Sequence, residues 1–190
     1  MGVWVALVGG HSFLLVLALA WFGYSGQWPP LGSNAVRIII DGIGLAAFAV
    51  LCVKTLERVL PQQMAVLDRV TRKFWGRLGI RLTWPVIIGL SLMAGFVEEV
   101  AFRGALQAAL VSWSSWPVGL VAASLIFGLG HALSWYYFLF TLGVGLLLGG
   151  AYLIFGSLLS VIIAHILYDI WAFRRFRWQI EQQEPAETQS

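Results

Sequence analysis

Two glutamates stand side by side in an apolar stretch of the chain. Glu98 and Glu99 lie within the run Gly95–Gly104, and Arg103 follows Glu99 by four residues. An ionisable side chain at the centre of a membrane span costs about 2.5 to 3.5 kcal/mol on insertion scales, so such residues usually face a cavity and function there. A carboxylate in this position can serve as a general base towards water. The structural alternative is that both glutamates only hold helices together.

Helical geometry gives the two carboxylates different partners. On a helix, Arg103 lies about 40° from Glu99 and about 140° from Glu98. The spacing therefore predicts an internal ion pair between Glu99 and Arg103 that neutralises both charges and supports the site. Glu98 points elsewhere without such compensation, which makes it the candidate catalytic carboxylate.

Two histidines and an aspartate complete the set of polar groups. His131 follows a glycine-rich turn of sequence, and His165 and Asp169 lie one turn apart on the same helix face. A single buried histidine is more often a satisfied hydrogen-bonding residue than a catalyst. Here, however, the histidines and the acids come from three apolar segments of a chain with only three histidines. The candidate catalytic residues are therefore Glu98, His131, His165 and Asp169. His11 has no comparable polar residues near it in the sequence, and we interpret it as structural or interfacial.

The composition shows what must position these residues. Of the 190 residues, 59% are apolar and 11% are charged, whereas soluble domains have about 25% charged residues. The mean hydropathy is +0.83, and no polar stretch is long enough to form a separate domain. This composition excludes a soluble protein and a soluble enzyme with one anchoring helix. The site must lie in or beside a lipid bilayer.

The predicted fold is an all-α, polytopic membrane helix bundle. About 20 apolar residues cross a bilayer, and the apolar runs predict about six transmembrane helices, with five to eight as alternatives. We place them at residues 3–24, 35–56, 84–111, 117–134, 136–154 and 156–173. Gly145 and Gly149 have the small-xxx-small spacing of close helix contact, which favours packing within the bundle over dimerisation. Residues 1–179 are assigned to one transmembrane domain and residues 180–190 to a polar, disordered tail.

The basic residues predict the orientation. Ten of the twelve lysines and arginines lie between spans two and three or directly after span six, and cytoplasmic loops carry such an excess. Both termini are then inside, and the short loops are typical of a prokaryotic inner (cytoplasmic) membrane. Within residues 61–82, apolar residues repeat at helical spacing among basic ones, which predicts an amphipathic helix on the anionic inner leaflet. The predicted partner of this basic surface is the lipid bilayer and not nucleic acid.

Helix arithmetic places the glutamate and the first histidine at different depths. Counted from the span ends, Glu98 lies about 21 Å from the inner end of its span and His131 about 22 Å from the outer end of its own. In a hydrocarbon core about 30 Å thick, the two heights meet only if helices are tilted, broken or shifted.

Three short motifs follow one another on three predicted spans. In chain order they are Glu98-Glu99-x-x-x-Arg103, Phe127-x-x-x-His131 and His165-x-x-x-Asp169. Together they resemble the motifs of the CAAX-processing and bacteriocin-processing protease family, also called Abi or CPBP. The resemblance covers about residues 84–173. The third motif of that family often ends in asparagine, and this chain has Asp169 there.

The resemblance implies an intramembrane endopeptidase that hydrolyses a peptide bond near the membrane in a protein or peptide tail. By this analogy Glu98 activates a water together with His131. His165 and Asp169 would bind the oxyanion of the tetrahedral intermediate or orient its donors. Because an ionised Asp169 cannot donate a hydrogen bond, it must either be protonated or act by orienting His165.

Other chemistries use the same residues. Glu98, His131 and His165 could form an open zinc site, but the chain has no His-Glu-x-x-His motif, so we favour a peptidase without a metal cofactor. A non-catalytic membrane immunity or scaffold protein would keep the fold without the chemistry. A proton-coupled carrier would also place acids and histidines inside the bilayer.

Overall fold

The computed structural model describes the backbone of residues 2–187 and the side chains of residues 2–179. Within these residues all regular structure is helical, which confirms the predicted all-α membrane bundle. The helices are α1 (Gly2–Ser25), α2 (Ala35–Val59), α3 (Pro61–Leu78), α4 (Trp84–Trp113), α5 (Trp116–Gly130), α6 (Trp135–Phe155) and α7 (Leu158–Glu187).

The helices differ in their ability to cross a bilayer. By length and composition, α1, α2, α4 and α6 are long and apolar enough to span. α5 is apolar but has only 15 residues, and α7 carries the polar residues of the third motif. Many large apolar side chains, such as Ile40, Phe96 and Leu125, are exposed on the outside of the bundle, where lipid and not water is the compatible solvent. The protein is therefore an integral membrane protein, and the count of six spans stays a prediction.

The fourth predicted span ends earlier than expected. The sequence predicted a continuous span over residues 117–134, but α5 stops at Gly130. The backbone NH of His131 bonds to the carbonyl of Gly128 in a tighter turn, at 3.2 Å. Ser134 then caps α6 by accepting a hydrogen bond from the NH of Tyr137. Residues 131–134 thus separate the two helices, where the sequence predicted a break at residue 135 alone.

The core of the bundle is built around α7. This helix packs along α2 and α4 and also contacts α6, while α5 packs along α6. Leu158, Val161 and Ala164 of α7 are fully or almost fully buried in this core. The third motif follows them on the same helix, so the core packing also places His165 between its neighbouring helices.

α3 is the predicted amphipathic helix, and it covers one end of the bundle. Its residues Met64 and Leu67 are buried against the other helices, whereas the exposed side carries the basic residues Arg69, Lys73 and Arg77. Asp68 accepts two hydrogen bonds from the guanidinium of Arg175 on α7, at 3.1 and 3.3 Å. Packing and this ion pair together fix α3 against α7.

The backbone of α7 continues as helix to Glu187, into the segment for which the sequence predicted a disordered tail. Side chains from residue 180 onward and residues 188–190 lie outside the described residues. The tail and the domain boundary at residue 179 therefore stay predictions.

The predicted topology can be tested by cysteine labelling. In a Cys52→Ala background, Lys73→Cys should react with a membrane-impermeant thiol reagent from the cytoplasmic face, and Pro30→Cys from the opposite face. Both positions are exposed, so burial does not prevent the reaction. Reaction of both positions from one face would contradict the orientation.

Candidate active site

A cavity of about 420 Å³ lies inside the helix bundle. It is lined by residues of several helices that are distant in sequence. The cavity also reaches Asp68 and Arg175 at the α3 end of the bundle. All four predicted catalytic residues line it, namely Glu98, His131, His165 and Asp169.

Glu98 is nearly buried and lies between two histidines. Its Oε2 is 3.7 Å from Nε2 of His131, the partner that the motifs predicted. Its Oε1 is 3.4 Å from Nε2 of His11 on α1. His11 was not predicted at this site, because its apolar helix offers it no charged neighbour. The only feature of the sequence that could have indicated a functional role for His11 is its position as one of three histidines, inside an apolar helix.

The hydrogen bonds of the two histidines define which ring nitrogen carries hydrogen. Nδ1 of His131 lies 2.8 Å from the carbonyl oxygen of Phe127, and Nδ1 of His11 lies 2.8 Å from that of Leu7. A carbonyl oxygen only accepts, so each Nδ1 is assigned the hydrogen. A neutral ring then presents the lone pair of Nε2 towards Glu98, whereas a ring that carries hydrogen on both nitrogens donates from Nε2 to the carboxylate. Because an ionised carboxylate only accepts, Glu98 can accept directly from a doubly protonated ring, and a water that donates to both can connect it to a neutral ring.

The early end of α5 resolves the difference in depth. A helix of 15 residues is about 22 Å long, shorter than the hydrocarbon core. Because the helix stops inside the bundle, His131 lies in the break at the level of Glu98. Phe127 packs against the His131 ring, with centroids 4.5 Å apart, and edge-on against Phe102 of α4 at 5.1 Å. These contacts hold the second motif against the first.

Glu99 is fully buried and accepts two hydrogen bonds on one oxygen. Nη1 of Arg103 donates to Oε1 at 2.8 Å, so the predicted ion pair is present. Nδ1 of His165 lies 2.7 Å from the same oxygen, a partner that the sequence did not predict. Nε2 of His165 faces Asp169, with its Oδ2 3.6 Å away. Glu99 therefore connects the first motif to the third and orients the His165 ring.

The helix α4 changes to a π-helix directly after the two glutamates, over Val100–Gln107. Such segments are rare and frequently occur at functional sites. Here Nη2 of Arg103 donates to the carbonyl of Gly145 at 3.2 Å, and Nε2 of Gln107 to that of Gly149 at 3.0 Å. A Cβ on Gly149 would lie 2.5 Å from Oε1 of Gln107. A Cβ on Gly145 would lie 3.1 Å from Ser124 of α5. Gly149 therefore lets α6 approach α4 closely and Gly145 lets it approach α5, and both contacts lie within the chain.

A zinc ion fits these residues poorly. It would require Glu98, His131 and His165 within about 2.0 to 2.2 Å of one ion. His165 instead has its Nδ1 bonded to Glu99 and its Nε2 turned to Asp169. Among the described residues, no group of three His, Cys, Asp or Glu side chains is arranged to hold a metal.

Comparison with known proteins agrees with the three motifs. Residues 80–171 match the family described as type II CAAX prenyl endopeptidase Rce1-like. The match begins just before α4, ends within α7 and contains every residue of the motifs. Through these residues, the chain belongs to the Rce1-like family. The resemblance read from the motifs is confirmed, and the Rce1-like match leaves α1, α2 and α3 outside.

A curated relative is the uncharacterized protein YpbD of Bacillus subtilis. It is 30% identical over 137 residues, which cover 70% of this chain and 66% of that protein. The chain thus spans about two thirds of the length of this relative. No solved structure matches the chain. The match to the Rce1-like family supports a membrane-embedded peptidase as the kind of protein.

Proposed function

We propose that this protein is an intramembrane endopeptidase in which Glu98 activates a water for hydrolysis of a peptide bond. The observation that carries the proposal is the placement of Glu98 in a cavity among apolar helices, with a histidine Nε2 on each carboxylate oxygen. Its substrate is a membrane-associated protein or peptide whose tail enters this cavity.

The first step is attack of water on the peptide carbonyl. A water between Oε2 of Glu98 and Nε2 of His131 donates one hydrogen to each, and its remaining lone pairs face the cavity. Glu98 takes a proton as the water oxygen bonds to the carbonyl carbon, which produces a tetrahedral oxyanion. When the C–N bond breaks, the proton passes from Glu98 to the leaving amine, and the carboxylate is restored.

His165 and Asp169 support the oxyanion in this proposal. Nδ1 of His165 is engaged by the buried Glu99, so Nε2 is the ring atom available to the cavity. A ring that carries hydrogen on both nitrogens can donate the second one to the oxyanion, and preorganised donors of this kind are often the largest catalytic term. Asp169, 3.6 Å from Nε2, orients the ring and need not donate itself.

The cavity suggests the side from which the substrate enters. It continues from the catalytic cluster to Asp68, Thr71 and Arg175, at the end of the bundle where the basic residues lie. The excess of basic residues assigns this end to the cytoplasm. We therefore place the protein in a prokaryotic inner membrane, with both termini and substrate entry on the cytoplasmic side.

A cleavage assay tests the proposal against the other functions of such a site. Purified protein is incubated with a set of membrane-anchored peptides, and the products are identified by mass spectrometry, with Glu98→Gln as control. A peptidase yields two fragments that the control does not produce. A scaffold protein binds peptide without fragments, and a proton-coupled carrier moves solute under a pH gradient without fragments. Either of these results would overturn the assignment.

We expect the active protein to work without a metal, because the residues at the site do not fit a zinc ion. Elemental analysis of purified protein should find no stoichiometric zinc, and chelator treatment should leave the cleavage rate unchanged. About one zinc per chain, with activity lost on removal and restored on return, would contradict this expectation.

A further inference from the structure

His11 on α1 contacts the candidate active site from outside the family match, which covers residues 80–171. We propose that His11 is a positioning residue whose ring, with hydrogen on both nitrogens, donates from Nε2 to Oε1 of Glu98, so that Oε2 faces His131 and the reacting water. This inference rests on the proposed function. It assigns a specific task at the site to a helix that the family motifs do not include.

The position of His11 is unusual for an apolar helix. α1 contains no Asp, Glu, Lys or Arg, and His11 is its single histidine. The Nε2 atom of His11 is buried, has no other hydrogen-bond partner among the described residues and lies 3.4 Å from Oε1 of Glu98. A buried polar atom left unpaired costs about 1 to 3 kcal/mol. An apolar side chain would avoid this cost, so the contact with Glu98 is the feature that a histidine provides.

Packing of α1 fixes the direction of the His11 side chain. Ala18 and Phe22 follow His11 by seven and eleven residues, which places all three on one helix face. Both are buried in the core, and a Cβ on Gly104 of α4 would lie 3.3 Å from the Phe22 ring. The close contact between the helices therefore holds His11 towards α4 and Glu98.

The two histidines approach different oxygens of Glu98 with the same ring orientation. Each ring uses Nδ1 for the backbone carbonyl four residues earlier and turns Nε2 to Glu98. The terminal torsion of a glutamate has only a broad intrinsic preference, so the plane of the carboxylate is set by its contacts. Without His11 the carboxylate can rotate, and Oε2 no longer has a defined place next to His131.

The test compares two substitutions of His11 with a control on the same helix. His11→Leu removes the polar contact, and His11→Gln keeps an amide near the position of Nε2. Val8→Ala changes a neighbouring side chain that is exposed on the outer face of α1. We expect His11→Leu to lower kcat about 10- to 100-fold at unchanged KM, the size of loss expected when a reacting group is misplaced. His11→Gln should recover most of this loss, and Val8→Ala should retain kcat.

An infrared measurement separates positioning from general damage without an activity assay. The carboxylate band of Glu98 is identified as the band that Glu98→Gln removes. We expect this band to shift in His11→Leu, to return towards its original position in His11→Gln and to stay in place in Val8→Ala. Wild-type kcat in His11→Leu, or a loss confined to KM, would overturn the role of His11 while Glu98→Gln remains inactive. Wild-type cleavage by Glu98→Gln would instead overturn the proposed function itself.

Discussion

Replacement of Glu98 by glutamine is expected to abolish peptide cleavage while the protein still folds. The amide keeps the shape of the side chain but cannot take a proton from water. Loss of a general base reduces the rate by about 100- to 10,000-fold, so the fragments should fall below detection in the mass-spectrometric assay. Folding should be little affected, because Glu98 faces a cavity and has no Arg or Lys partner in the described part of the chain.

The matched control for this variant is the substitution at the next position. Glu98→Gln and Glu99→Gln are chemically the same change on the same helix. Yield and melting temperature of Glu98→Gln should match those of the wild type, as measured by circular dichroism in detergent. Cleavage at the wild-type rate would contradict the assignment of Glu98. A loss of folded protein in this variant would show that its carboxylate has a structural role.

Replacement of Glu99 by glutamine is expected to reduce both stability and activity. Glu99 is fully buried, and one of its oxygens accepts hydrogen bonds from Arg103 and His165. Removal of its charge leaves Arg103 as a buried cation without a counter-ion. Breaking a buried ion pair in this way costs about 3 to 5 kcal/mol. Activity should also fall, because the amide no longer fixes the ring of His165 in the orientation that the oxyanion requires.

A double variant distinguishes the lost partner from a simple packing defect. Glu99→Gln combined with Arg103→Met removes both charges, and loss of a whole buried pair is less costly than loss of one member. We expect the double variant to unfold at a higher temperature than Glu99→Gln alone but to remain inactive. An unfolding temperature of Glu99→Gln equal to that of the wild type would contradict the ion-pair argument.

Much of the fold could be predicted because a membrane limits the choices. Backbone groups in lipid must be satisfied within each segment, so long apolar runs become helices. The predicted spans at residues 3–24, 35–56, 84–111 and 136–154 correspond closely to α1, α2, α4 and α6. The i,i+4 spacing also predicted the pair of Glu99 and Arg103 correctly, because both lie on one helix and their contact depends on local geometry alone.

The sequence by itself thus determined the helical bundle, the three motifs and the local pairing within α4. Only the tertiary structure decided how the motifs meet. α5 ends at Gly130, which brings His131 to Glu98, and the packing of α7 brings His165 to Glu99. The contact of His11 with Glu98 likewise depends on how α1 packs against α4. Sequence periodicity shows which face of a helix is apolar. It does not show which other helix that face packs against, or at what depth in the membrane the two helices meet. Those are fixed by side-chain packing between segments that lie far apart in the chain.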